Sequence, residues 1–178
     1  MTLSLADSDL FTDRLLTEVL HMRVHFILPM YNYYPKDKQH IMQSLLLEQS
    51  LCRLADQIHG QVETRIVDER SEMVNLLDKP DIVVILAHYP NAARAYLLAD
   101  FYRARGVFVM LMGSHVTSFP NEACEHADAI FIGPWDGAFK TFIEDFQKGS
   151  KRRLYCAPSA DLEVKQQHNF RSGSITGM

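Results

Sequence analysis

The chain has 178 residues, 47% of them hydrophobic and 22% charged, a size and balance that suit one globular domain with its own core. Eighteen basic against 22 acidic residues leave a net charge of −4, which speaks against a nucleic-acid-binding face. The longest fully apolar runs, 82–87 and 107–112, have six residues, well short of the roughly 20 that span a bilayer. The first nine residues are acidic where a secretory signal would be basic, and three cysteines, Cys52, Cys124 and Cys156, are unclustered. Both features predict a cytoplasmic protein without a disulfide framework. Lys148, Lys151, Arg152 and Arg153 form the one short basic cluster and read as a solvated helix end.

Leu10, Phe11, Leu15, Leu16, Val19 and Leu20 fall at helical spacing and predict an amphipathic helix ahead of the first strand. The run 22–29 (MRVHFILP) reads as a strand stopped by proline, followed by a loop over 30–40. Between 41 and 58, apolar residues recur every three or four positions, a helix that ends near Gly60. Alternation over 61–68 predicts a second strand, and 72–77 a short helix. The stretch 81–87 (DIVVILA) is nearly continuous apolar sequence, as in a strand buried on both faces. A helix over about 92–105 follows, with Gly106 just beyond its end, then a buried strand over 107–112. Pro120 opens a short helix to 126, since proline in a first turn forfeits no helical hydrogen bond. A fifth strand (129–132) and a last helix (137–147), stopped by Gly149, complete the pattern.

Five strand–helix units predict an α/β fold, a flavodoxin-like, doubly wound, five-stranded parallel sheet of the Rossmann-like kind with an extra N-terminal helix. The expected organisation is the amphipathic helix over 1–21, the α/β domain over 22–149 and a polar tail over 150–178. In such sheets a ligand sits beyond the carboxyl ends of the strands, where strand order reverses, here between strands 1 and 3. The rim is then built from 29–36, 88–91, 113–119 and 133–136. None of these loops carries the G-x-G-x-x-G of a dinucleotide site, the G-x-x-x-x-G-K-[ST] of a nucleotide triphosphate site or a G-x-S-x-G nucleophile turn. Strand 3 ends in Ala87-His88, without the carboxylate of a phospho-receiver, and the first loop is bulky where a flavin phosphate loop is small. The rim instead alternates aromatics (Tyr31, Tyr33, Tyr34, Tyr89, Phe119, Trp135) with Gly113, Ser114, Gly133 and Gly137. Glycines ending strands 4 and 5 give room for a large flat ligand to approach the backbone, and aromatics cover its apolar faces. The same residues also suit ordinary strand-to-helix turns. His88 reads either as a ligand contact or as a hydrogen-bonded loop start. No carboxylate pair is spaced for general acid–base work, and no histidine or cysteine cluster has metal-ligand spacing.

At these loops the sequence resembles the cobalamin (B12)-binding domain found at the N-terminus of many radical-SAM enzymes. Ala95-Tyr96-Leu97-Leu98-Ala99-Asp100-Phe101-Tyr102-Arg103-Ala104-Arg105-Gly106-Val107 is similar to that family's third helix and the start of its fourth strand. Gly113-Ser114-His115-Val116-Thr117-Ser118-Phe119-Pro120-Asn121-Glu122-Ala123 is similar to its G-G-x-H-x-T-x-x-P-E-E-A loop. The run from Glu125 to Gly133, followed by Pro134-Trp135-Asp136, is similar to its E-H-A-D-x-V-x-x-G-E-G-E stretch. The likeness covers about 23–155. Two departures shape what it implies: the C-x-x-x-C-x-x-C iron–sulfur motif is absent, and no Asp-x-His-x-x-Gly follows strand 1.

The resemblance therefore implies a stand-alone module, not an enzyme by itself, that carries cobalamin base-off and without a histidine axial ligand for a separate radical-SAM or methyltransferase partner. The implied cofactor-binding residues are Tyr31, Tyr33, Tyr34, His88, Tyr89, Asn91, Gly113, Ser114, His115, Thr117, Gly133, Pro134, Trp135 and Asp136. The alternative is a degenerate B12-like domain that has lost its ligand and works as an interaction or regulatory module, its N-terminal helix holding a partner or a second copy. An enzyme acting on a small phosphorylated or flavin-like ligand is a third expectation, weakened by the missing phosphate loop.

Overall fold

The structure, a computed structural model, describes residues 22–31, 49, 51–60, 62–133 and 138–156. Six strands form one sheet: β1 (Arg23–Leu28), β2 (Glu63–Asp68), β3 (Ile82–Leu86), β4 (Phe108–Met112), β5 (Ala129–Ile132) and β6 (Leu154–Cys156). Their order is β2-β1-β3-β4-β5-β6, with every neighbouring pair parallel. Strand order thus reverses between β1 and β3, as the alternating pattern predicts. The described helices are α1 (51–57), α2 (Ala92–Ala104), α3 (Ser114–Ser118), α4 (Pro120–His126) and α5 (Ala138–Gln147).

Register explains why the central strands are apolar at every position. Phe26, Val84 and Met110 lie in one cross-strand row, and Ile27, Ile85 and Leu111 in the next. Successive side chains point to opposite faces, so the two rows feed separate cores. The first row packs with Leu51, Leu54 and Ile58 of and just after α1 and with Phe139, Phe142 and Ile143 of α5. The second packs with Ala95, Leu98, Ala99 and Tyr102 of α2 and Ala123 of α4. Each fully buried Leu, Ile, Val or Phe stabilises by roughly 1.5–3 kcal/mol, so polar breaks are costly on either face. Helix α2 stops where Gly106 adopts φ +75°, its amide donating to the Arg103 carbonyl at 2.9 Å.

Three expectations need correction. The sheet has six strands, not five, because β6 forms within what reads as the polar tail. Three residues are too short to show periodicity, and what places them is Tyr155, 3% exposed, its ring 5.2 Å from that of Phe142. No helix forms over 72–77. There Asn75 Oδ1 accepts from the Leu77 amide at 3.1 Å and the Asn75 carbonyl from Asp78 at 3.1 Å, a turn that competes with helix. Finally, α3 lies within the stretch expected as open loop. The expected N-terminal helix, residues 32–48 of the first loop and second helix, and the tail beyond 156 lie outside the described residues. Among the described residues no helix is long and apolar enough to cross a membrane.

Candidate functional site at the carboxyl edge

The switch point is held shut by one buried amide. Asn91, 0% exposed, sits in the 3-10 turn Tyr89–Asn91 that follows β3. Its Nδ2 donates to the Pro29 carbonyl after β1 and to the Leu86 carbonyl of β3, both at 3.2 Å. Its Oδ1 accepts from the His88 amide at 2.6 Å. One side chain thereby fixes the two loops that diverge at the reversal of strand order. Beside it, the buried carboxylate of Glu69 accepts from the Met30 amide at 3.0 Å and from Arg94 at 2.6 and 3.1 Å. Arg94 is thus held above its ordinary pKa, chiefly by its hydrogen bonds to Glu69.

Between β3 and β4 the backbone itself is packed tightly. The Ala87 amide donates to the Met112 carbonyl at 2.7 Å, and the Ala87 carbonyl accepts from the His115 amide at 3.2 Å. Gly113 has φ +119°, and a Cβ built there would lie 2.4 Å from the Ala87 oxygen. Its missing side chain accommodates the protein's own backbone at Ala87. His88 Nδ1 and Ser114 Oγ are 2.7 Å apart. Thr117 Oγ1 donates to the Gly113 carbonyl and accepts from the Gly133 amide, each at 3.1 Å, so it ties the ends of β4 and β5 together.

The edge has donors and acceptors left over. His88 Nε2 and both ring nitrogens of His115 are buried without a hydrogen-bond partner among the described residues. Glu122 Oε1 stands 3.7 Å from His115 Nε2, beyond hydrogen-bond distance. The His115 ring sits among those of Phe119, Tyr96 and Tyr89, at 4.9, 5.8 and 6.4 Å. Tyr89 is 83% exposed and Phe119 49%, an apolar surface above these nitrogens. Burial, then the nearby Glu122 carboxylate, pushes the Tyr96 hydroxyl up to about 12.

Burial, reinforced by His115, lowers the His88 pKa to about 4. A histidine near 6.5 when unfolded then binds more protons in the unfolded chain between pH 6.5 and 4. His88 therefore contributes stability that is lost as pH falls through this window, with a slope of at most about 1.4 kcal/mol per pH unit. His25, also held below its ordinary value mainly by burial, titrates with the same sign. Urea unfolding at pH 5 and 7 should thus show a smaller pH-dependence in His88→Gln than in the parent. An equal dependence in both proteins contradicts the assignment.

The structure brings His88, Tyr89, Asn91, Gly113, Ser114, His115, Thr117 and Gly133 to one edge, with half-buried Tyr31 beyond β1. Tyr33, Tyr34, Pro134, Trp135 and Asp136 lie outside the described residues. Sequence reasoning missed Glu69 as a part of this edge, because its partner Arg94 is 25 residues away and no local pattern links them. Imidazoles, hydroxyls and backbone amides beneath exposed rings suit binding more than acid–base chemistry. Among the described residues no group of three His, Cys, Asp or Glu side chains is arranged to hold a metal ion.

No family model matches the chain. Over 114 residues it is 32% identical to bacteriochlorophyllide d C-8(2)-methyltransferase of Chlorobaculum tepidum, a match covering 64% of this chain and 25% of that protein. Bacteriochlorophyllide d C-12(1)-methyltransferase of the same organism is 29% identical over 77 residues, 43% of this chain and 17% of the relative. Among solved structures, the N-terminal domain of a hypothetical protein of Thermotoga maritima aligns with a TM-score of 0.45 and 19% identity, over 62% of this chain and 88% of that one. The chain thus spans a quarter or less of the curated methyltransferases that it matches, and what it shares with them is a partial, modest similarity.

Proposed function

We propose that the chain binds cobalamin across the carboxyl edge of the sheet and presents it to a radical-SAM or methyltransferase partner. The carrying observation is the set of three buried, unpartnered imidazole nitrogens on His88 and His115, roofed by Tyr89 and Phe119, at the reversal of strand order. Burying such atoms without partners is costly, which favours a bound molecule that supplies the missing hydrogen bonds. The similarity to two methyltransferases supports the same reading from outside the geometry. Cobalamin, when bound, supplies a cobalt centre able to carry a methyl group.

The chain's own residues hold and orient the cofactor. Tyr31 and Tyr89 cover its apolar face, while His88, His115, Ser114 and Thr117 meet its polar tail beside Gly133. Tyr33, Tyr34, Pro134, Trp135 and Asp136 extend this lining by sequence. The first loop has no Asp-x-His-x-x-Gly setting, and the resemblance to the radical-SAM branch implies that cobalamin would be held base-off, without a histidine from this chain on the cobalt. Titrating the protein with hydroxocobalamin should change the visible spectrum of the cofactor, and colour should stay with the protein through gel filtration. An unchanged spectrum with no retained colour at tens of micromolar protein sinks the proposal.

One observation favours a second reading, a ligand-free interaction module. His88 Nδ1 and Ser114 Oγ satisfy each other, and Ala87 fills the space at Gly113, so part of the rim is already self-paired. The titration separates the two readings.

A further inference from the structure

A cleft of about 580 Å³ opens at the other edge of the sheet, across the starts of β3, β4 and β5. Val107, Phe108 and Phe146 give it an apolar wall, and Lys79, Arg103 and Lys151 stand around it. Lys151 Nζ lies 4.7 Å from the Phe146 ring centroid and 5.5 Å from that of Phe108. The two carboxylates of the cleft are already engaged. Asp81 accepts from the Arg23 amide at 2.8 Å, and Asp128 accepts from the Val109 amide at 2.9 Å and from Arg103 at 3.3 Å. Among the described residues neither Lys79 nor Lys151 forms an ion pair with a carboxylate. The cleft therefore sets the Phe108 and Phe146 rings beside two lysines whose charges no carboxylate among the described residues engages.

The chain enters the sheet beside this cleft. Met22 packs on the same apolar cluster as Phe108 and Phe146. Arg23 is fastened to the cleft wall by its amide on Asp81 and its guanidinium on the Lys79 carbonyl at 2.7 Å. The sequence immediately before it, residues 7–20, carries the apolar stripe Leu10, Phe11, Leu15, Leu16, Val19 and Leu20. It also carries four carboxylates, Asp7, Asp9, Asp13 and Glu18, against one cation, Arg14. A helix over 10–20 would be about 16 Å long. The walk from β1 across β3 and β4 to β5 is three strand spacings, about 14 Å. Reach, apolarity and charge sign therefore agree.

We propose that residues 7–20 dock in this cleft within the same molecule, the apolar stripe against Val107, Phe108 and Phe146 and the carboxylates toward Lys79 and Lys151. This surface is separate from the carboxyl edge and does not depend on what binds there. The test is amine labelling of the full chain, read lysine by lysine by mass spectrometry, with and without Leu15→Asp and Val19→Asp together. Lys151 should label several-fold faster in the variant, at low and high protein concentration alike, while exposed Lys140 is unchanged. Equal labelling of Lys151 in both proteins overturns the proposal. So does protection that grows with concentration, which places a second copy's segment in the cleft. An independent variant, Lys79→Glu with Lys151→Glu, should speed trypsin cleavage after Arg14 several-fold, and an unchanged rate again counts against cis docking.

Discussion

Gly113→Ala should cost about 3 kcal/mol or more of folding stability, a large part of the roughly 5–15 kcal/mol that holds a typical domain together. Two costs add. Gly113 has φ +119° and ψ 179°, a region that is essentially closed to side-chain-bearing residues and costs about 1–3 kcal/mol to enter. The added carbon would also stand 2.4 Å from the Ala87 oxygen. That oxygen belongs to a backbone held by the Ala87–Met112 and His115–Ala87 hydrogen bonds, so it cannot swing aside like the end of a long side chain. Relief requires β3 and β4 to part at their carboxyl ends. Gly106→Ala is the matched control: φ is +75° there, but a Cβ meets nothing within 4 Å. Only the backbone cost remains, about 1–2 kcal/mol. Urea unfolding of the two variants should differ by at least about 1 kcal/mol, with Gly113→Ala the weaker protein. Equal midpoints would falsify the close-approach account.

Asn91→Ala should cost about 3 kcal/mol as well, for a different reason. The substitution removes three hydrogen bonds at about 1 kcal/mol each and leaves the Pro29 and Leu86 carbonyls short of a donor. The effect should be local before it is global, because the lost bonds join the loops after β1 and β3 rather than the core clusters. Amide exchange at His88 should accelerate by about a hundredfold, the equivalent of about 3 kcal/mol. Exchange in the middle of β4 should follow only the change in global stability. Unaltered protection at His88 would show that the amide does not clamp the switch point. If it does clamp it, cobalamin binding should weaken along with it, since the proposed site spans both loops.

These two residues also show where sequence reading succeeds and where it stops. The near-continuous apolar text of β3 and β4 follows from burial on both faces, and this is why their positions and the reversal between β1 and β3 were legible. β6 was not, because its burial depends on Tyr155 meeting Phe142 across space, and three residues carry no period. α3 is likewise five residues, and its hydroxyl Thr117 is committed to Gly113 and Gly133 rather than to a pattern along the chain. The rim residues His88, Ser114, His115 and Thr117 were readable as neighbours from topology alone. Their partners were not. That the Ala87 carbonyl stands where a Gly113 side chain would be, and that Glu69 gathers Met30 and Arg94, follow from contacts across space that no local pattern announces.

The carboxyl edge of the sheet is the edge proposed to bind. The most direct measurement is a backbone amide NMR map of the full chain, recorded with and without hydroxocobalamin. Shifts should gather at 30–31, 88, 89, 91, 113–117 and 133, around the reversal of strand order, and should leave 79, 81, 106–108 and 128 unmoved. Shifts confined to that second group, or none anywhere, would contradict it.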